Sequence, residues 1–306
     1  PAASLVLLAA LWFLRKRTRA PLAAALFFGG TLFPALGFAD VYPFLFSFVA
    51  DHFQYLAGLG LITLAAAGAT LLAKRPRFLF AAAAALLLLL ACLTWRQSRV
   101  YADPVTLYTA TIAGNPDCWM AYNNLGVIQQ SGGQMDDAIK SYRHALQIRP
   151  DYADAWYNLG YALHLQGNVD DAITNYQRAL QFSPRLLKAH LNLAIAFQQK
   201  GNTSSALAEF QTAATIAPDS AVAQNNLGFF LIQHNDPTTA LDHLQRAVTL
   251  DPDYADAHNN LGLAYLQTGN LDPAIREFQK ALTLNPALTQ ARSNLNLALS
   301  RKGSNP

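Results

Sequence analysis

Residues 151–184 read DYADAWYNLGYALHLQGNVDDAITNYQRALQFSP, and the stretches on either side repeat this pattern in register. Each unit closes on a proline: Pro116, Pro150, Pro184, Pro218, Pro252 and Pro286 stand 34 residues apart. With the closing proline as position 32, position 7 is Leu125, Leu159, Leu193, Leu227, Leu261 and Leu295. Position 8 is Gly126, Gly160, Ala194, Gly228 and Gly262, then Asn296. Position 20 (Ala138, Ala172, Ala206, Ala240, Ala274) and position 27 (Ala145, Ala179, Ala213, Ala247, Ala281) are alanine throughout. Position 24 is large and apolar: Tyr142, Tyr176, Phe210, Leu244 and Phe278. A fixed period of this size marks a helical array in which each unit buries its apolar face on the next.

The pattern has a packing logic. Small residues at positions 8, 20 and 27 let two helix backbones approach, and the large side chain at position 24 fills the space between them. Gly133, Gly167, Gly201, Gly269 and Asn235 fall where a first helix must end in a left-handed residue. Asp136, Asp170, Ser204, Thr238 and Asp272 are then expected to cap the second helix, with Pro273 at a first helical position. Asp117, Asp151, Asp219 and Asp253 are expected in the first turn of the next unit. Asp103 and Pro104 similarly predict a helix running to about Gly114, in register with the second helix of a half repeat.

This pattern resembles the tetratricopeptide repeat, two antiparallel helices per unit. Five repeats plus a capping helix cover residues 117–301, with a linker and half-repeat helix over 96–116 and a polar tail at 302–306. The resemblance implies an all-α chain that ends in an α-solenoid, a right-handed superhelix of helical hairpins.

Residues 1–95 have a different composition. Apolar runs at about 20–38, 54–73 and 78–95 contain no Lys or Arg, and each approaches the roughly 20 residues a spanning helix needs. Residues 1–14 read as the end of a fourth. The expectation is a membrane domain of about four helices. Because the chain opens on Pro1 within an apolar stretch, it is expected to be the C-terminal part of a longer protein. A signal peptide fits residues 1–14 less well, since the basic cluster follows the apolar run.

Arg15, Lys16, Arg17 and Arg19 lie in one connection and Lys74, Arg75 and Arg77 in another, which places both on the cytoplasmic side. The array beyond Trp95 is then expected on the far side, periplasmic if the host membrane is a bacterial inner membrane. Charge divides at the same border. Residues 1–96 carry a net +6 and residues 97–306 a net −3, which together give the chain its +3. The basic character is thus that of membrane loops, and no nucleic-acid footprint is present.

No P-loop, zinc-protease helix or nucleophile elbow occurs in the sequence, and no catalytic residue, metal or cofactor is assigned. Gly58 and Gly60 lie in an apolar run and read as close helix packing. The histidines of the array are expected to be solvated and scattered over repeat positions.

Position 6 is the most informative row for function: Asn124, Asn158, Asn192, Asn226, Asn260 and Asn294. Asparagine within a helix is worse than alanine by about 0.5 kcal/mol, so something must offset it. A carboxamide offers both donor and acceptor, as needed to pair with the main chain of an extended peptide. The alternative is that these amides bond to neighbouring helices or to water. Positions 5 and 9 flank the row with Asn123, Val127, Tyr157, Tyr161, Leu191, Ile195, Asn225, Phe229, Asn259 and Leu263, an almost uncharged groove wall. Tyr157, Tyr161 and Phe229 are candidate anchors for partner side chains; the other reading is that the row only packs on the next helix.

The amide row resembles the asparagine ladder of the O-GlcNAc transferase repeat domain, which implies a grip on peptide main chain. The polytopic helices, the outer-side segment Ala50-Asp51-His52-Phe53-Gln54-Tyr55-Leu56 and the C-terminal repeats together resemble the transmembrane and tetratricopeptide-repeat protein O-mannosyltransferases and their bacterial relatives. That resemblance implies transfer of a lipid-linked sugar to a protein acceptor on the non-cytoplasmic side. Its acidic catalytic pair would lie upstream of Pro1. Here His52 stands where arginine is usual and Ala57 where proline is common. Asp51 and His52, at a membrane edge, either help place a lipid phosphate or are interfacial polar residues. A non-enzymatic envelope scaffold or assembly factor is the rival reading.

Overall fold

In the computed structural model the residues described are 102–303, together with the helical positions Ala85, Leu88, Leu89, Cys92 and Trp95. The expected membrane runs, Asp51 and His52 lie outside the described residues apart from those five positions. Among the described residues no helix is long and apolar enough to cross a membrane. The chain divides into two compact units, Pro1–Asp103 and Pro104–Pro306. The second is an array of helices, with no strand among the described residues.

Its elements are α1 (Pro104–Gly114), α2 (Trp119–Ser131), α3 (Met135–Ile148), α4 (Ala153–Leu165), α5 (Val169–Phe182), α6 (Leu187–Gln199), α7 (Thr203–Ile216), α8 (Ala221–Gln233), α9 (Pro237–Leu250), α10 (Ala255–Gln267), α11 (Leu271–Leu284) and α12 (Thr289–Gly303). Every full repeat has the same frame: the first helix takes positions 1–13 and the second positions 17–30. The start of α1 at Pro104 and its end at Gly114 agree with the reading of the sequence.

The rows of small residues explain the packing. All ten alanines at positions 20 and 27 are fully buried. A Cβ added to Gly228 would stand 2.5 Å from Leu244 Cγ, and one on Gly126 2.6 Å from Tyr142 Cε1. The missing side chain at position 8 is therefore the seat of the side chain at position 24. A further row, Ala121, Ala155, Ala189, Ala223, Ala257 and Ala291 at position 3, is equally buried. It was legible as a periodic alanine.

First helices end as expected: Gly133, Gly167, Gly201, Gly269 and Asn235 all have positive φ, between 60° and 84°. The expected caps of the second helices are displaced by two residues. The N-cap positions are Gln134, Asn168, Asn202, Asp236 and Asn270. Of these, Asn202 accepts from Ser205 N and Asp236 from Thr239 N, each at 3.2 Å. Pro273 is accordingly the third residue of α11, still within the turn whose amide hydrogens have no helical partner, and Pro237 is the first residue of α9. The expected caps do something else. Asp136 accepts from Gln166 (2.7 Å), Asp170 pairs with Lys200 (3.0 Å) and Asp272 pairs with Lys302, each partner being position 14 of the next repeat.

Asp117, Asp151, Asp219 and Asp253 stand just before the N-cap residues Cys118, Tyr152, Ser220 and Tyr254, outside the first turns expected for them. Successive first helices touch, α2 with α4, α4 with α6, α8 with α10 and α10 with α12, and successive second helices approach less closely. The array therefore curves with its first helices on the inner side.

Candidate functional site

Position 6 sits halfway along each first helix, and from there the carboxamides of Asn158, Asn192, Asn260 and Asn294 reach the preceding first helix. Asn158 Nδ2 donates to Asn123 Oδ1 at 2.9 Å, Asn260 Nδ2 to Asn225 Oδ1 at 2.9 Å and Asn294 Nδ2 to Asn259 Oδ1 at 3.1 Å. Asn192 Nδ2 donates to the Tyr157 hydroxyl at 2.9 Å, and Asn124 Nδ2 to the Tyr108 hydroxyl of α1 at 3.3 Å. The regular partner is thus position 5 of the repeat before. Asn123, Asn225 and Asn259 are buried, so each rung satisfies an oxygen that water does not freely reach. This is what offsets the helix cost of asparagine, and for these five members the N–H serves the array itself.

What remains for a ligand is the other half of each amide. Within the described residues the Oδ1 atoms of Asn158, Asn192 and Asn294 accept nothing, whereas those of Asn124 and Asn260 are taken by Asn123 (3.2 Å) and Asn259 (3.3 Å). Asn226 is the exception to the row. The residue opposite it in register is Leu191, which has no acceptor, and among the described residues no hydrogen bond holds its carboxamide.

The expected aromatic anchors are partly engaged. The Tyr157 ring stacks on that of Tyr161, centroids 6.2 Å apart and 11° from parallel. Lys188 Nζ lies 4.5 Å from the Tyr157 centroid and 2.7 Å from Asp154 Oδ1, so its charge is already met. Burial, with Tyr161 adding to it, raises the Tyr157 phenol above its ordinary pKa, so it meets Asn192 as a neutral hydroxyl. Phe229 is 38% exposed and Val127, at the same position 9, 42%.

Toward the C-terminal end a cavity of ≈340 Å³ is lined by Phe229, Asn259, Leu263, Thr289, Gln290, Ser293 and Asn294. Phe229 and Asn294 are thereby brought together with the flanking rows at positions 5 and 9. A second cavity of ≈470 Å³ opens between α3, α4 and α5, walled by Arg143, Leu146, Trp156, Leu163, Asp171 and Asn175 among others. On its wall Asn175 turns back to donate to Asp171 O at 2.7 Å, whereas the equivalent Glu209 and Glu277 reach across to a histidine.

Those histidines depart from expectation. His190 and His258 share position 4 and are buried. Each lies 2.6 Å from a glutamate, Glu209 or Glu277, and 3.0 Å from the carbonyl of the preceding closing proline, Pro184 or Pro252. Trp156 and Gln224, at the same position, donate to Pro150 O and Pro218 O at 2.8 and 3.2 Å, and Arg292 to Pro286 O at 2.8 Å. From the second repeat onward position 4 is thus a row of donors that tie the first helix to the turn before it. The signal was present in the sequence as a polar-tipped residue in each repeat. Burial opposes the charge on His190, but the hydrogen bonds to Glu209 and to Pro184 O outweigh it and raise its pKa. Burial lowers that of His243. Among the described residues no group of three or more His, Cys, Asp or Glu is placed to hold a metal.

Sequence models agree with this geometry. One described as "TPR repeat" matches residues 130–167 and 231–269, and one described as "Tetratricopeptide repeat" matches 153–186 and 255–288. No curated protein sequence matches the chain. Among solved structures it is similar to YrrB, described as a TPR protein with an unusual peptide-binding site, at 22% identity and TM-score 0.50 over 61% of this chain and 96% of that one. It is similar to a chain of the APC/C hetero-tetramer Cut9-Hcn1 at 20% identity and TM-score 0.57, over 66% of this chain and 40% of the other. It is similar to Pseudomonas aeruginosa pilF at 19% identity and TM-score 0.51, over 60% and 90%. At such identities the likeness is one of fold. The array is an all-helical solenoid of tetratricopeptide repeats.

Proposed function

We propose that the tetratricopeptide-repeat array is an interaction module that holds an extended polypeptide along the face of its first helices. The observation that carries this reading is an inner face with little charge, where carboxamide oxygens with no intramolecular donor alternate with accessible apolar and aromatic side chains at position 9. Such a face meets a peptide's main chain through its amides and the side chains through its apolar steps. The YrrB structure, described as having an unusual peptide-binding site, has the same fold. The triple substitution of Asn158, Asn192 and Asn226 by Ala tests the reading against a panel of unfolded peptides. Affinity should fall; unchanged affinity with the fold intact ends it.

The finer reading is that the module is anchored in a bacterial inner membrane by the apolar runs of residues 1–95, faces the periplasm, and recruits acceptor proteins for a glycosyltransferase that uses a lipid-linked sugar. Its support lies in the sequence: the apolar runs, the basic connections on one side and the Asp51-His52 segment. A reporter fused after Trp95 should signal from the non-cytoplasmic side, and a cytoplasmic signal overturns the orientation. Removal of the array should abolish acceptor glycosylation while the membrane part still inserts.

A further inference from the structure

The amide row is broken at one place, where the residue opposite the carboxamide carries no acceptor. Elsewhere the carboxamide at position 6 is tied to an oxygen on the repeat before it. At the junction of α6 and α8 the oxygen is replaced by the partly buried Leu191, which packs against the core. Asn226 is half-buried. Because the described residues contain no sealed polar side-chain atom that lacks a partner, its carboxamide is reachable from outside.

The surroundings of Asn226 follow from the repeat frame. The C-terminal cavity is formed by position 9 of one repeat, positions 5 and 9 of the next, and positions 1, 2, 5 and 6 of the third. Two repeats earlier these positions are Tyr161, Leu191, Ile195, Ala221, Val222, Asn225 and Asn226. Val222, Asn226 and Phe229 follow one another at i, i+4 and i+7 on one face of α8, and Val222 and Phe229 are exposed. The charged neighbour on α6, Lys188, is paired with Asp154.

Resting on the peptide-holding reading, we infer that Asn226 is the specificity-determining centre of the groove, and that its occupant is an extended segment with apolar side chains and no charge. Asn226 Nδ2 donates to one main-chain carbonyl of that segment and Oδ1 accepts from a main-chain N–H. Its flanking side chains rest on Ile195 and Val222 to one side and on Phe229 to the other. A charged side chain would find no counter-ion there and would lose hydration. The intact rungs hold the neighbouring repeats, and the broken one leaves an amide to a guest.

The test measures fluorescence anisotropy of a labelled peptide of alternating Val and Ser with the full chain, alongside peptides in which Val is replaced by Asp or by Lys. Asn226→Ala should lose about tenfold in affinity, the equivalent of one main-chain hydrogen-bond pair. Leu191→Asn, which supplies the missing acceptor, should lose as much by engaging Asn226 within the array. Asn158→Ala should lose less than about threefold, because only its oxygen is free to bind. Should Leu191→Asn fail to fold, Asn226→Ala decides alone, since it removes no internal bond. If the triple asparagine variant loses affinity while Asn226→Ala binds as the original does, the inference falls and the groove reading stands. Tighter binding of the Asp or Lys peptide overturns the proposed occupant. If no peptide binds the unaltered chain, both fall.

Discussion

Substitution of Asn260 by Ala should destabilise the array, whereas the same substitution at Asn226, one repeat earlier, should stabilise it. Asn260 is buried, donates to Asn225 Oδ1 at 2.9 Å and accepts from Asn259 Nδ2 at 3.3 Å. Truncation forfeits a bond worth about 1 kcal/mol net and leaves the buried Asn225 oxygen unmet, at a further cost of about 1–2 kcal/mol. The better helix propensity of alanine returns about 0.5 kcal/mol. The net loss is about 1.5–2.5 kcal/mol. Asn226 has no bond to lose, so only the propensity gain remains, about 0.5 kcal/mol of added stability. For a unit spanning Pro104–Pro306, each kcal/mol moves the melting temperature by about 2–4 °C. Thermal unfolding followed by circular dichroism should show Asn260→Ala lower by about 3–10 °C and Asn226→Ala higher by about 1–2 °C. Equal shifts of the same sign would refute the assignment of rungs and of the break.

Other outcomes follow from the packing and the charges. Gly228→Ala, whose Cβ would stand 2.5 Å from Leu244 Cγ, should cost about 1–3 kcal/mol in denaturant unfolding; a neutral result would mean that the helices can separate freely there. Gly167→Ala, at φ 84° with open space around the site, should cost about 1–2 kcal/mol through backbone conformation alone. The raised pKa of His190 means that its contribution to stability is full below its ordinary value of about 6.5 and is lost as pH rises through the folded value. Glu209→Gln should therefore melt further below the original chain at about pH 6 than at about pH 9, and a gap independent of pH would contradict the pairing. Lys200→Ala removes an exposed pair with Asp170 and should change stability by less than about 0.5 kcal/mol.

The helical frame was legible because a period of 34 residues puts the same small and large side chains at the same places, and positive-φ glycines punctuate it. The caps were misplaced because Asp136, Asp170 and Asp272 look like caps locally but are drawn to position 14 of the next repeat, a partner thirty residues away in the chain. The amide row was legible as composition, and its internal rungs were not. Reading each residue against the one 35 positions earlier would have paired Asn158 with Asn123, Asn260 with Asn225 and Asn294 with Asn259, and would have exposed Leu191 as the odd member. The role of His190 and His258 is hidden in the sequence because the histidines of the array otherwise fall at different repeat positions. The row they belong to mixes Trp156, Gln224 and Arg292, and shares a donor instead of a side-chain type.

Photo-crosslinking tests the central claim most directly. A photoreactive phenylalanine analogue placed at Phe229, on the inner face, and separately at Phe182, at the end of α5 and also exposed, is irradiated in the presence of the Val and Ser peptide. The account predicts a peptide adduct from position 229 and none from position 182. Adducts from both alike, or from position 182 alone, would contradict a groove built on the first helices.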